Sequence, residues 1–198
     1  MNYFAHLHLA HISQTSLTGN LLGDFIKGSK LSHLPKELEL GIRLHRKIDS
    51  FTDAHPICQE FKREHSEIRR YAGVGLDILF DHILAKQLDG QYSKLSEQFY
   101  NTLQKECSIH QDYLPEEYQN KVEAITNQDW FATYRNFDGI TLALERTALR
   151  FMRPVNLTSI ATWYDAQSAD IDKLFSQLYQ DTCEFTLETK LQLNDVID

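Results

Sequence analysis

Leu44-His45-Arg46-Lys47-Ile48-Asp49-Ser50-Phe51, entered through Gly41-Ile42-Arg43, sets apolar residues at helical spacing and puts His45 and Asp49 four positions apart. Residues at i and i+4 share one helix face. A second segment, Leu76-Asp77-Ile78-Leu79-Phe80-Asp81-His82 with Leu84, repeats the device: Asp77 and Asp81 stand one turn apart and His82 adjoins them. The apolar neighbours predict that both segments are largely buried. Carboxylates and imidazoles are costly there unless paired or bound to a metal. Two acids one turn apart in an apolar helix also repel each other unless a cation lies between them. The reading that follows is an all-α fold carrying a metal site.

The rest of the chain has the same texture. Only four prolines and eight glycines punctuate it, and strand-like alternation of β-branched residues is almost absent. The pattern predicts helices over 3–11, from 16 through 26, over 35–50, 56–71 and 76–88, with a break at Gly73-Val74-Gly75 before the last. Pro35 and Pro56 suit first helical turns. Asp53 reads as the N-cap of the helix entered through Pro56 rather than as a ligand. Scaffold helices are expected over 92–107, 115–126, 139–151 and 168–191. With no internal repeat or long linker, 1–198 is read as a single-domain helical bundle, long enough to bury a substantial core.

Composition narrows the function. Hydrophobic residues are 42% and charged residues 24%, as in an ordinary globular protein. The start Met1-Asn2-Tyr3-Phe4-Ala5-His6 lacks the pattern of a signal peptide and no run approaches a membrane span, so a cytoplasmic, membrane-free protein is expected. Cys58, Cys107 and Cys183 lie far apart, which argues against a disulfide framework or a thiolate zinc site and for reduced, structural thiols. A net charge of -8 argues against nucleic-acid binding. One basic stretch stands out: Arg43, Arg46, Lys47, Lys62, Arg63, Arg69 and Arg70. It reads either as a solvated surface or as a docking site for an acidic or phosphorylated partner.

Seven of the nine histidines precede position 66. His6-x-His8 offers a ligand, although residues two apart on a helix point to different faces. Gly19-Asn20-Leu21-Leu22-Gly23-Asp24-Phe25 sets an acid beside two glycines, which permit close approach of another backbone or a ligand. A nucleophile elbow, a Walker sequence and a dinucleotide fingerprint are all missing. Metal-activated water is the better nucleophile, and a bound divalent ion both lowers the pKa of its water and shields phosphate charge. Mixed imidazole and carboxylate ligands suit manganese, iron or zinc, whereas magnesium favours oxygen.

Taken together, these segments resemble one family, the acyl carrier protein phosphodiesterases. The resemblance rests on Met1-Asn2-Tyr3-Phe4-Ala5-His6-Leu7-His8-Leu9-Ala10, on Gly19 to Gly28, on Gly41 to Pro56, and on Arg69-Arg70-Tyr71-Ala72-Gly73 leading into Leu76 to His82. It implies an HD-domain-like metallophosphohydrolase, dependent on Mn2+. The implied reaction is hydrolysis of the phosphodiester that joins 4'-phosphopantetheine to a serine of holo acyl carrier protein. Here the chain departs from the HD pattern, since Asp81-His82 stands where that pattern has His followed by Asp. The expected assignment gives the metal to Asp24, His45, Asp49 and Asp81. His8, Asp77 or His82 would orient water or protonate the leaving oxygen. Arg46, Arg69 and Arg70 would contact phosphate or the acidic carrier, a partner suited to a basic surface. The alternatives are a phosphohydrolase acting on a nucleotide or other small phosphate ester, and a non-catalytic carrier-binding helical protein.

Overall fold

Ser16 accepts a hydrogen bond from the Gly19 amide at 2.8 Å and so caps a short helix whose glycine has a second task. A Cβ on Gly41 would lie 2.4 Å from the Gly19 carbonyl carbon and 2.6 Å from the Asn20 nitrogen. Only glycine lets these two backbones touch. A computed structural model describes residues 1–197, and its helices are α1 (Tyr3–Ile12), α2 (Leu17–Leu21), α3 (Lys36–Ala54), α4 (Pro56–Glu64), α5 (Arg69–His110), α6 (Glu116–Asn127), α7 (Trp130–Tyr134), α8 (Phe137–Ala148) and α9 (Thr158–Ile197). Among the described residues there is no strand. The fold is all-α, as expected.

The third helix packs most closely on α2 and α9, while α5 runs through the centre and meets α1, α2, α4, α8 and α9. A ten-residue helix such as α1 is marginal by itself. Its place depends on packing: Phe4 is fully buried and its ring lies 4.2 Å from Tyr92, 5.2 Å from Phe131 and 5.4 Å from Phe99, centroid to centroid. Burying such a ring is worth about 1.5–3 kcal/mol, and aromatic pairing adds to it.

Several boundaries differ from the sequence expectation, each for a local reason. Gly73-Val74-Gly75 does not break the chain; α5 passes straight through, because Gly75 serves close packing and a Cβ there would meet Ile160 Cδ1 at 2.1 Å. The interruption comes instead at Asp89, whose backbone leaves the helical region (φ 16°, ψ -98°). The helix expected from 16 through 26 splits into α2 and a 3-10 turn, Leu22–Asp24. The cap of α4 is His55, whose Nδ1 accepts from the Ile57 amide at 3.3 Å, and Asp53 pairs with Lys62 at 2.9 Å. Cys58, Cys107 and Cys183 are free thiols. No helix among the described residues is long and apolar enough to cross a membrane.

Candidate functional site

Both oxygens of Asp81 accept backbone hydrogen bonds at the start of α1, from Phe4 and Ala5, each at 3.0 Å. These amides have no partner within their own helix, and a carboxylate there also meets the positive end of the helix dipole. Asp81 thereby fixes the register of α1 on α5. That register carries His6 inward to α3.

His6 and His45 stack with ring centroids 4.1 Å apart. His6 Nε2 lies 3.0 Å from Asp49 Oδ1, and His45 Nε2 lies 3.1 Å from Asp49 Oδ2 and 3.3 Å from Asp24 Oδ1. Gly23 makes room for the second ring, since a Cβ there would stand 2.2 Å from His45 Cδ2. His6, His45 and Asp49 each offer a donor atom within 4.8 Å of the others. Asp24 stands at the rim of this group, with about half of its side chain exposed.

The donor set fits a divalent metal. Asn20 Oδ1 accepts from His6 Nδ1 at 3.1 Å. With the proton on Nδ1, the lone pair of Nε2 points at a carboxylate oxygen, two acceptors that a cation between them would reconcile. An amide or carboxylate behind a ligating imidazole sets its tautomer in this way. His45 Nδ1 is buried without a partner, so that ring engages polar groups only through Nε2.

The electrostatics separate the two rings. Burial opposes a charge on His6, the neighbouring His45 adds to that, and its pKa falls to about 4. Burial opposes a charge on His45 too, but Asp24 and Asp49 outweigh it and raise the value to about 9. Burial would also raise Asp49, yet the hydrogen bond from His45 and the nearby N-terminal ammonium hold it well below the usual carboxylate range. The N-terminal ammonium of Met1 lies 3.1 Å from Asp77 and 3.4 Å from Asp49. Asp77 itself is raised by burial against the pull of that ammonium.

A cavity of about 490 Å³ opens beside the cluster, lined by Asp24, Asp49, Asp53 and Asp77 and, among others, by Trp130, Arg146 and Arg150. It is large enough for a small-molecule arm.

Of the residues singled out from sequence, the structure therefore joins Asp24, His45 and Asp49, and sets Asp77 in the adjoining cavity. Asp81 is engaged with the α1 amides. His8 turns away from the cluster and its Nδ1 meets the Tyr179 hydroxyl at 2.6 Å. His82 donates from Nδ1 to the Tyr134 carbonyl at 2.7 Å. Arg46 donates to the carbonyls of Gly28 and Ile26, at 2.7 and 2.5 Å, and pins the loop after Asp24. Arg69 and Arg70 line a different surface cavity with Arg153. The residue that joins the ligand group is His6. Sequence pairs it with His8 but cannot rank the two, because α1 is buried on almost every side and its apolar pattern marks no single face. Asn20, Arg146 and Arg150 carry no signal of their own, since a single amide or guanidinium in a helical pattern points to no particular chemistry.

The family model described as acyl carrier protein phosphodiesterase matches residues 1–182. A Photorhabdus laumondii protein named acyl carrier protein phosphodiesterase is 33% identical over 181 residues, covering 90% of this chain and 91% of that one. An Escherichia coli O157:H7 protein of the same name is 35% identical over 189 residues, covering 90% and 94%. No solved structure gives a significant match.

Proposed function

The chain belongs to the acyl carrier protein phosphodiesterase family, and from that membership we propose that it hydrolyses the phosphodiester between 4'-phosphopantetheine and the serine of holo acyl carrier protein, releasing the apo carrier. It is an enzyme of the phosphoric diester hydrolase class. The observation that carries the finer reading is the convergence of His6, His45, Asp49 and Asp24 at the edge of a cavity able to take an extended arm.

In this reading those four residues hold a divalent metal, manganese by family resemblance. Such an ion supplies a water of lowered pKa and offsets the charge on the phosphate. The chain's own groups do the rest. Asn20 keeps the proton of His6 on Nδ1, and Gly23 leaves the space that lets His45 face Asp49. Serine must leave with a proton on its oxygen. Of the candidates for that step, Asp77 is the one that lines the cavity. Asp81 acts through α1, as a positioning residue. Residues 1–198 function as one cytoplasmic domain on a protein substrate.

The deciding experiment is mass spectrometry of holo carrier protein incubated with the enzyme and manganese. Appearance of the apo carrier and free 4'-phosphopantetheine, stopped by chelation, is the expected result. Intact holo carrier after incubation with folded, metal-loaded protein overturns the reading.

A further inference from the structure

The cavity beside the cluster is lined by residues of both signs. Asp24 and Asp49 come from the His and Asp group, with Asp53 and Asp77 beside them. α8 and the turn that follows it add Leu142, Arg146 and Arg150, four positions apart and so on one face. Both arginines are exposed, and neither makes a hydrogen bond or ion pair among the described residues. Lys121, from α6, lies 5.0 Å from the Trp130 ring and 6.0 Å from the Tyr3 ring, two aromatic residues that line the cavity. Burial and then the charge of Arg150 lower its pKa, which places the two cations within each other's field.

This arrangement gives the fold little. Like charges one turn apart repel, and among the described residues no carboxylate pairs directly with either arginine. An anion between them would turn that repulsion into attraction. Guanidinium groups present paired donors suited to phosphate oxygens. The arginines expected from sequence to do this are occupied elsewhere: Arg46 ties a loop, and Arg69 and Arg70 line a separate surface.

Resting on the hydrolase reading above, we infer that Arg146 and Arg150 form the phosphate clamp of this cavity, holding the phosphate of the phosphopantetheine arm opposite the His6, His45 and Asp49 cluster. They are specificity-determining residues: a substrate is selected by a phosphate that these two cations can hold. The aromatic faces of Trp130 and Tyr3 flank the arm beyond it.

The test uses the full chain with Arg146→Gln, Arg150→Gln, the double substitution and Arg146→Lys. Calorimetry measures binding of 4'-phosphopantetheine, with inorganic phosphate as a second probe, beside KM and kcat on holo carrier and the melting temperature. Each Gln variant is expected to weaken 4'-phosphopantetheine binding by roughly tenfold, and the double variant by more, with an unchanged melting temperature. Arg146→Lys should recover part of the loss. Binding of both probes as tight in the double variant as in the wild type overturns the clamp, and if the wild type still converts holo to apo carrier, the hydrolase reading survives that result. A wild type that leaves holo carrier intact while the variants lose 4'-phosphopantetheine binding overturns the reaction and supports the clamp.

Discussion

The rings of His6 and His45 lie 4.1 Å apart at 26°, and each turns its Nε2 to a different oxygen of Asp49. One carboxylate thus joins α1 to α3 through two imidazoles of opposite character. Burial and the neighbouring ring keep His6 neutral, whereas Asp24 and Asp49 overcome burial to keep His45 protonated. A metal entering this group must displace the proton of His45, so uptake should release protons to solvent.

Removing a ligand should be legible without any substrate. Manganese is expected to raise the melting temperature of the wild type, and His6→Ala, His45→Ala and Asp49→Ala should each lose most of that rise through an affinity loss on the order of a hundredfold. Asp24→Ala, at the rim, should lose less. Asn20→Leu should weaken binding by about tenfold to a hundredfold, since it removes the acceptor that orients His6. A full manganese-induced shift in His6→Ala would remove that residue from the set.

Asp81 should behave differently. Asp81→Ala strips two buried amides of their acceptors, at about 1–3 kcal/mol each, before any loss of packing. The melting temperature should fall by several degrees with or without manganese, for a chain of this length. A variant as stable as the wild type but blind to manganese would return Asp81 to the ligand group.

Much of this was legible in the chain. The His45 and Asp49 pair, the acid at position 24 and the helical class follow from spacing and apolar context, and the structure places all three side chains together. What spacing cannot give is which helix end a buried acid will meet. Asp77 and Asp81 share a face of α5, yet Asp81 finds the amides of Phe4 and Ala5 while Asp77 faces the cavity. The glycines mislead for a related reason. Gly75 reads locally as a breaker, and its real partner is Ile160, 85 positions along the chain. Arg46 reads as a binding cation until a loop carbonyl claims it.

The acid limb of stability should carry a signature of His8. Burial, then His11, lowers its pKa from 6.5 to about 4, while its Nδ1 meets Tyr179. Between those values the unfolded chain binds more protons than the folded one, so stability rises with pH. Its contribution is complete above about pH 6.5 and fades as pH falls toward 4. His8→Gln can still bond the tyrosine but does not titrate. Urea unfolding of metal-free protein at pH 7 and pH 5 should show a smaller drop in the variant, and equal drops would mean that His8 titrates alike in both states.

Two glycines separate the site from the scaffold. An alanine Cβ at position 41 would press on the backbone of Gly19 and Asn20, which cannot move without parting α2 from α3. Gly41→Ala should therefore cost about 1–3 kcal/mol or more, as overpacking does, and show it as a lower melting temperature. At position 23 the obstacle is a side chain: the new Cβ would meet His45 Cδ2, Cγ and Cβ at 2.2, 2.4 and 2.7 Å. Rotation of the imidazole away from Asp24 and Asp49 relieves the Cδ2 and Cγ contacts and spoils the donor set, while the Cβ contact, which rotation leaves in place, requires a small shift of the 3-10 turn that carries position 23. Gly23→Ala should keep its helical circular dichroism, lose less stability than Gly41→Ala, and give little or no manganese-induced thermal shift. If its shift matches the wild type, His45 holds its place despite the methyl group, and the packing of Gly23 against that ring is not what sets the site.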